Sequence, residues 1–391
     1  MFRTGHGLCM RASRPSSARL VVFSLTKRKL SVPTHLGRSA NEEVKVEIKA
    51  GLKDRISLRI HQAPRPALSN PIIIYIPPGI IQDERPYPLS SLALSANATV
   101  VRIDYRLSGV RPYPCPLHDV LAGYDWVKAN LVPKSTDLVV EPNADASPTS
   151  SLGVCGQLLG GSLSTALALT ECHIGRTGIS ALAANNPTVD WTQLGPPPDN
   201  AAGARVEAAE SGLDLLSAEV TQLSLSSFRD DAADIEDILQ VRSSVFPKAS
   251  LYYDPFASPL LFFRTPTYDL PLNHLNMFNT EEDGHSPSQE PEPPPQRKRR
   301  SYRKYPPAGL KVQIPRMRID YGEDNLLGPQ AQELAHAVKR SIKIAEEDKW
   351  GALGRKGLDS RIETAMRPGL GFWTERELAE TGAWFGDVLR S

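Results

Sequence analysis

Two glycines frame Leu158 at a position where the type of residue would decide the chemistry. The stretch from Gly153 to Ser164 predicts a short buried strand, a turn flanked by Gly156 and Gly160, and a helix of small residues. A serine at the centre of such a frame sits on a strained turn, from which its hydroxyl can attack an acyl carbon. The glycines fit the steric role of letting helix and strand approach closely. The central residue is a leucine, which cannot attack a carbonyl.

Two nearby side chains are candidates to replace the missing nucleophile. Ser162 lies four residues beyond Leu158, on the same helical face but roughly 6 Å further along. We interpret Ser162 as a small residue that permits helix–sheet packing, with a substitute nucleophile as the alternative. Cys155 precedes Leu158 by three positions, and its place in the strand favours a small buried hydrophobe over a nucleophile.

Composition restricts the classes of function. The four cysteines, at positions 9, 115, 155 and 172, have no CxxC spacing, so neither a zinc site nor a redox pair is indicated, and they fit a reducing compartment. We therefore expect no metal and no cofactor. A net charge of +1 over 391 residues gives no case for a nucleic-acid partner. The apolar runs are too short to cross a membrane, which needs roughly 18 residues.

The N-terminal residues 1–41 have a composition of their own. This serine-rich stretch contains no acidic residue before Glu42. Its basic residues include Arg3, Arg11, Arg14, Arg19, Lys27, Arg28, Lys29 and Arg38. An Arg-rich, Ser-rich and acid-poor leader is typical of a mitochondrial transit peptide. The alternative is a disordered basic leader on a cytoplasmic protein.

Alternating and continuous apolar runs predict the strands of the domain at 42–391. Residues 44–48 and 56–60 alternate apolar with polar side chains, as half-buried antiparallel edge strands do. The runs at 71–76 and 99–103 are nearly continuous and β-branched, which suits strands covered on both faces.

Helices separate these strands and follow them. Further elements are predicted as helices at 83–97 (after a loop), 117–131, 330–349 and 374–389, and as strands at 151–155, 178–183, 313–319 and near 360–365. Strands that alternate with helices predict a right-handed, mostly parallel sheet.

Two insertions interrupt this alternation. Residues 194–250 combine a Pro/Gly/Asn/Ala-rich loop with helix-prone segments such as 232–241, a pattern that predicts a helical cap over a pocket. Residues 279–309 contain an acidic run, a proline-rich run and a basic cluster at 297–304. We interpret this linker as a disordered surface excursion, and its basic cluster as a solvated charge run rather than a nuclear localisation signal.

Three motifs in the right order resemble those of the fold-3 esterases, the hormone-sensitive-lipase-like branch of the α/β-hydrolases. The family's DYRLAPE-like stretch is matched by Asp104-Tyr-Arg-Leu-Ser108, followed by Tyr113-Pro-Cys-Pro116. Its GDSAGGNLA elbow is matched without gaps by Gly156-Gln-Leu-Leu-Gly-Gly-Ser-Leu-Ser164. Its triad acid is matched by Asp324 in Gly322-x-Asp324-x-Leu326. The resemblance covers residues 43–389 and is weakest in the cap, the linker and the C-terminal part.

The departures from the family concern the reacting groups. Leu158 stands where the family has its nucleophile. Ile76-Pro-Pro-Gly79-Ile stands for the family's HGGG, whose backbone N–H groups hold the oxyanion. Because proline has no N–H group, only Gly79 and the backbone of Leu159 remain as oxyanion-hole positions.

The triad base is missing from its expected place as well. The family takes this histidine from the loop after the last strand, but residues 366–372 contain none. The histidine nearest the C-terminus is His336, in a predicted helix, and no spacing selects it, His274 or His118 as a substitute. Asp324 therefore keeps the acid position without the partner that it would orient.

The resemblance implies a three-layer α/β-hydrolase sandwich, with a central, mostly parallel sheet and a helical cap. For function, we expect a pseudo-esterase whose pocket binds a small apolar ligand or a protein partner. One alternative is a carboxylic-ester hydrolase with a non-standard constellation of Ser162, Cys155 or Asp324. Another is a scaffold in which no pocket matters.

Overall fold

An eight-stranded sheet forms the centre of the structure. The computed structural model describes residues 43–51, 54–65, 70–79, 81–82, 88–107, 111–133, 151–173, 177–194, 223–224, 235–268, 301–307, 309–350 and 361–390. In order across the sheet, the strands are β1 (Glu43–Lys49), β2 (Arg55–His61), β5 (Thr99–Asp104), β3 (Ile72–Ile76), β6 (Leu152–Gln157), β7 (Ile179–Asn185), β9 (Arg316–Gly322) and β10 (Ile362–Arg367). A separate parallel pair joins β4 (Ile81–Gln82) to β8 (Leu223–Ser224).

The burial pattern of each strand agrees with its place in the sheet. β2 pairs antiparallel with both β1 and β5, and its side chains alternate between buried and partly exposed. From β5 to β10 all neighbours are parallel. Every residue of β3 and β6 is buried, as expected for strands with helices on both faces. The predicted strands and the mostly parallel sheet are thereby confirmed.

Helices cover both faces of the sheet. They are α1 (Leu89–Ala96), α2 (Cys115–Asn130), α3 (Leu158–Thr170), α4 (Ile235–Val245), α5 (Gly328–Trp350) and α6 (Glu375–Arg390). Apolar residues of α1 and α6 bury one face in a cluster that includes Tyr75, Val100 and Cys155. The other face is buried by α2, α3 and α5 in a larger cluster that includes Leu158 and Leu159. The result is the predicted three-layer sandwich.

In the insertion between β7 and β9, the longest described stretch starts at residue 235. It contains α4 and two short 3-10 helices, Ala249–Tyr253 and Pro259–Phe262. Tyr113, just before α2, holds this segment. Its backbone N–H donates to the Val245 carbonyl (2.9 Å) and its hydroxyl to the Asp254 carboxylate (2.8 Å). The predicted helix at 232–241 lies three to four residues further along the chain, as α4.

The predicted linker ends earlier than residue 309. The Thr265 N–H donates to the Ser301 carbonyl (2.8 Å), and the Arg303 N–H donates to the Phe263 carbonyl (2.7 Å). Tyr305 is buried and its hydroxyl donates to the Leu169 carbonyl (2.7 Å). Residues 301–307 are therefore anchored, because aromatic packing of Tyr305 on Phe262 and Phe263 outweighs the basic and proline-rich composition. The rest of the linker lies outside the described residues.

Two further sequence predictions concern the N-terminal leader and membrane-spanning helices. The basic leader, 1–41, lies outside the described residues, which belong to one compact unit, Ser39–Ser391. Among the helices of the described ranges, none is long and apolar enough to cross a membrane.

Candidate functional site

A leucine in a left-handed backbone conformation marks the turn between β6 and α3. The φ angle of Leu158 is +51°, whereas the preceding residue, Gln157, is extended. Positive φ is unfavourable for a bulky residue by roughly 1–2 kcal/mol because Cβ crowds the following carbonyl. The strained geometry that would present a nucleophile is thus retained around a residue without one.

The two framing glycines allow this turn to approach β3. A Cβ atom at Gly156 would lie 2.7 Å from the Ile76 carbonyl oxygen and 2.6 Å from the Gly160 carbonyl carbon. A Cβ atom at Gly160 would collide with the carbonyl oxygens of Ile76 and Pro77. Both collisions are with backbone, which cannot rotate away as a side chain can. The glycine frame therefore has the steric function that the sequence predicted.

The tip of the turn is buried rather than open. Leu158 is 4% exposed and belongs to the larger apolar cluster, as does Leu159. The Leu158 carbonyl accepts a hydrogen bond from the Thr188 N–H (3.3 Å), which fixes the loop after β7 against the turn. An apolar side chain thus fills the position from which a serine hydroxyl would act.

The loop after β3 contains the predicted oxyanion-hole position Gly79. The Tyr105 hydroxyl donates to the Pro77 carbonyl (2.9 Å) and occupies the space that a Cβ atom at Gly79 would need. Gly79 has a φ of +77°, so glycine is required by both backbone and space. The Leu159 N–H lies in the first turn of α3, where amides have no intrahelical acceptor. The structure retains these two backbone positions but replaces the other donors with prolines.

The Asp104–Leu107 motif has a structural function. Asp104 accepts hydrogen bonds from Arg59 (2.7 Å) and Arg102 (2.6 Å), which joins β2 to β5. The next residue, Tyr105, holds the Pro77 loop as described above. Arg106 donates to both oxygens of Asp119, at 2.6 and 2.9 Å, and this contact raises the pKa of Arg106. Because Asp119 is fully buried on α2, the pair fixes α2 beside the sheet.

Amide side chains hold the loop in which the family would place its histidine. Asn186, at a φ of +43°, donates to the Leu370 carbonyl (2.9 Å) and accepts from the Gly322 N–H (2.9 Å). Asn185 donates to the Gly371 carbonyl (2.8 Å). The side-chain amide oxygen of Gln157 accepts from the Trp373 backbone N–H (3.0 Å). The loop at 368–374 is thus tied to β6, β7 and β9 and presents no imidazole.

Asp324 lies beside this loop but outside the core. Its backbone N–H donates to the Gly369 carbonyl (3.0 Å), and its side chain is exposed. Within the described part of the chain, its carboxylate has no hydrogen-bond partner. The buried carboxylate of this region is Asp320, which the sequence did not single out. Asp320 accepts from Arg318 (3.1 Å), Arg367 (3.2 Å) and the Trp373 indole (3.2 Å), a structural arrangement.

The two substitute nucleophiles do not meet a base in the structure. Ser162 is buried and donates its hydroxyl hydrogen to the Ala257 carbonyl (3.2 Å). Cys155 lies in the apolar cluster on the opposite face of the sheet from Leu158, and burial raises the pKa of its thiol well above the ordinary range. A thiol in that environment stays protonated and inert.

The described histidines do not complete a triad. His336 is exposed on α5, and His118 is exposed on the first turn of α2. His61 pairs with Glu43 between the two strands at the β1 edge, and His173 pairs with Glu171. None of these four hydrogen-bonds to Ser162 or Asp324. His274 lies outside the described residues.

Buried polar groups in and beside the insertion between β7 and β9 were missed by the sequence analysis. Arg264 is fully buried and forms ion pairs with Asp190 and with Glu333 of α5 (2.7 Å). Close by, Arg242 of α4 donates to the Trp191 carbonyl (3.2 Å) and stacks on the Tyr252 ring, 5.0 Å from its centroid. No spacing rule brings these residues together, because they are up to 143 positions apart, between 190 and 333. Across the described ranges, His, Cys, Asp and Glu form no group of three or more that could hold a metal ion.

Comparison with known proteins agrees with this architecture. A family model described as alpha/beta hydrolase fold matches residues 86–260, which include the elbow and the Asp104–Leu107 motif. Two solved structures align over nearly the whole chain, both with a TM-score of 0.51. The chain has the α/β-hydrolase fold.

The aligned α/β-hydrolases are esterases with distant sequences. One is a thermostable carboxylesterase cloned from a metagenomic library, 17% identical, with 91% of this chain and 92% of that chain covered. The other is carboxyl esterase 2 from the mycorrhizal fungus Tuber melanosporum, 13% identical, with 90% and 89% covered. No curated protein matches the sequence. At these identities the likeness concerns the fold.

Proposed function

We propose that this α/β-hydrolase-fold protein is catalytically inactive as an esterase and binds a small apolar ligand or a protein partner. The observation that carries the proposal is Leu158, which occupies the strained turn at a φ of +51° and is buried. Acyl transfer on this fold needs a nucleophile at that point, and leucine offers none.

The loss of the base points in the same direction. The loop at 368–374 contains no histidine, and Asn185, Asn186 and Gln157 hold its backbone. Nucleophile and base act as a unit, so removal of either one already eliminates most of a triad's rate enhancement. Pro77 and Pro78 further remove N–H donors from the oxyanion loop, where one lost donor typically lowers the rate by about 10²–10³.

The alternative, an ester hydrolase with a non-standard constellation, would need Ser162 or Cys155 to react. The Ser162 hydroxyl is buried and donates to a backbone carbonyl, so it has no base to take its proton. Cys155 faces the other side of the sheet and remains a thiol. These contacts favour the inactive protein over the alternative.

The test is ester turnover by the purified full-length protein. A panel of p-nitrophenyl esters from acetate to octanoate would be compared across wild type, Ser162→Ala and Cys155→Ala. We expect all three proteins to show the background rate of the buffer. Turnover by wild type that either substitution abolishes would refute the proposal and identify the displaced nucleophile. Turnover that survives both would refute it too.

We also propose that residues 1–41 are a mitochondrial targeting leader, on their arginine-rich, acid-free composition. The N-terminal sequence of the protein purified from its native cells tests this. A mature N-terminus near residue 42 is expected, and a chain that starts at Met1 would contradict it.

A further inference from the structure

β1 is an edge strand of the main sheet. Within the described ranges its only strand neighbour is β2, with which it pairs over its full length, from Glu43 opposite His61 to Lys49 opposite Arg55. The N–H and C=O groups along the outer side of an edge strand are a template for pairing with a further strand. β1 is therefore a place at which the sheet can be extended.

The two faces of β1 differ in chemistry. On the face covered by α2, Val44 and Val46 are half-buried and Ile48 is buried, and all three pack in the larger apolar cluster. The opposite face presents exposed side chains whose charge alternates in sign along the strand: Glu43, Lys45, Glu47 and Lys49. β1 thus combines an apolar face with a face of alternating charge.

The charge order is complementary to itself when two copies of β1 run antiparallel about a two-fold axis at Val46. Residues directly opposite each other in an antiparallel pair point to the same face of the sheet. Glu43 then lies opposite Lys49 of the second copy, and Lys45 lies opposite Glu47 of the second copy. The axis repeats both pairs, so every charged side chain of β1 meets an opposite charge.

The apolar face matches in the same register. Val46 lies opposite Val46 of the second copy, and Val44 lies opposite Ile48. The valines are only half-buried in a single copy. Pairing would cover them further and continue the apolar layer from one sheet into the next.

A shift of the register destroys the match. Because side chains alternate between the faces, the ladder can slip only in steps of two residues without exposing the apolar face. A slip in one direction places Lys45 opposite its own copy and Glu43 opposite Glu47. A slip in the other direction places Glu47 opposite its own copy and Lys45 opposite Lys49. Lysines on an edge strand ordinarily discourage pairing, and here they do so in the neighbouring registers.

Within one copy, the charges of β1 are only weakly satisfied. Glu43 and Glu47 contact Arg59 (3.6 Å) and Arg55 (3.8 Å) of β2 in exposed ion pairs. Exposed pairs contribute little, and a carboxylate can accept from several donors. Lys45 lies opposite Arg59, which carries the same charge. A second copy therefore offers Lys45 the acidic cross-strand neighbour that β2 does not.

We propose that β1 is a homodimer interface, at which two copies join their eight-stranded sheets through an antiparallel β1–β1 ladder about a two-fold axis. The partner is a second copy of this chain, because the alternating charges match their own sequence in reverse. One strand pair is a small contact, so we expect a reversible dimer with a Kd on the order of 10 μM. The inference is independent of the proposed function, since neither the elbow nor the insertion takes part.

Sedimentation equilibrium of the full-length protein, from about 1 to 200 μM, measures the association. Lys45→Glu places like charges opposite each other at two symmetry-related points, so it should weaken dimerisation by about tenfold or more. The double variant Lys45→Glu/Glu47→Lys restores opposite charges, and its affinity should return to within about threefold of wild type. The single substitution should not lower the thermal midpoint, because it gives Arg59 an opposite charge as neighbour.

Lys311→Glu is the matched control for charge. It makes the same change at an exposed residue shortly before β9, near the other edge of the sheet, and should leave the association unchanged.

Cysteine crosslinking tests the register itself. Val46→Cys places two sulfur atoms across the axis. In Val44→Cys, a half-buried position on the same face, the two cysteines are displaced by four residues, roughly 14 Å along the strand. A disulfide needs Cα atoms within about 7 Å, so mild oxidation should link Val46→Cys above the wild-type background and leave Val44→Cys at that background.

A protein that stays monomeric over the whole concentration range would overturn the proposal. So would a dimer that Lys45→Glu leaves intact, because it would use another surface. A double variant as weak as the single one, or equal crosslinking of the two cysteine variants, would overturn it as well.

Discussion

Addition of one methyl group at Gly160 should destabilise the protein, whereas the same change at Gly161 should not. Both glycines lie in the first turn of α3, and alanine in a helix is favoured over glycine by about 1 kcal/mol at either position. The two positions differ in what the new Cβ atom would meet. At Gly160 it would collide with the carbonyl oxygens of Ile76 and Pro77 and lie 2.8 Å from the Pro77 carbonyl carbon.

The collision at Gly160 cannot be relieved by a side-chain rotation. Overpacking typically destabilises by about 1–3 kcal/mol, and contact with two backbone carbonyls places Gly160→Ala at the upper end. After the helix-propensity gain of about 1 kcal/mol, a net loss of roughly 2 kcal/mol remains. At Gly161 the new atom would lie 3.1 Å from Pro187 Cβ and 3.2 Å from the Gly156 oxygen, so small shifts suffice. Gain and penalty then cancel to within about 0.5 kcal/mol.

Equilibrium unfolding in urea, followed by tryptophan fluorescence, measures both variants against wild type. A shift in midpoint at constant slope reports the difference in unfolding free energy. The reasoning would be refuted by a Gly160→Ala variant as stable as wild type, because β3 and the elbow would then be further apart than the structure places them. Equal losses in the two variants would refute it too.

Three further predictions concern the elbow, a buried ion pair and a histidine. Leu158→Ser should gain no esterase activity, because no histidine stands in the 368–374 loop, and it should lose roughly 2–5 kcal/mol of stability with the buried leucine side chain. Turnover of p-nitrophenyl acetate measures the first effect and urea unfolding the second. A turnover rate typical of an esterase would contradict the prediction. Asp119→Ala should lower the unfolding free energy by about 3 kcal/mol, since its fully buried carboxylate holds Arg106. Arg376→Ala, which breaks an exposed pair with Glu380, should change the unfolding free energy by less than about 0.5 kcal/mol. Similar losses in the two variants in urea unfolding would show that burial is irrelevant here. Burial lowers the pKa of His61 in the folded protein, so neutral His61 contributes stability above pH 6.5, and this contribution is lost as the pH falls through the folded-state pKa. His61→Gln should therefore flatten the dependence of the unfolding midpoint on pH between about pH 7 and 5. An unchanged slope would count against this prediction.

The sheet was predictable because its strands have strong local signals. β3 is a continuous apolar run and β2 an alternating one, and both were expected where they occur. The glycines at 156 and 160 predicted the elbow because a close approach of backbone tolerates no other residue type. The ends of elements were less predictable, since β6 continues two residues beyond the predicted position 155.

The backbone conformation of Leu158 could not be predicted from leucine itself, which disfavours positive φ. It follows from the turn that Gly156 and Gly160 impose together with β3. The fastening of the 368–374 loop was also hidden, because Asn186 contacts residues 136 and 184 positions away. The same holds for Trp191 and Tyr252, whose relation depends on Ser258. Such contacts are set by tertiary packing, which no local pattern encodes.

Intact-mass analysis of the full-length protein after treatment with a fluorophosphonate tests the central claim most directly. This reagent forms a covalent adduct with an activated serine and requires no knowledge of the substrate. We predict an unchanged mass, because Leu158 replaces the elbow nucleophile and Ser162 donates to a carbonyl without a base. A stoichiometric single adduct would contradict the claim and show that a serine of this chain is activated after all.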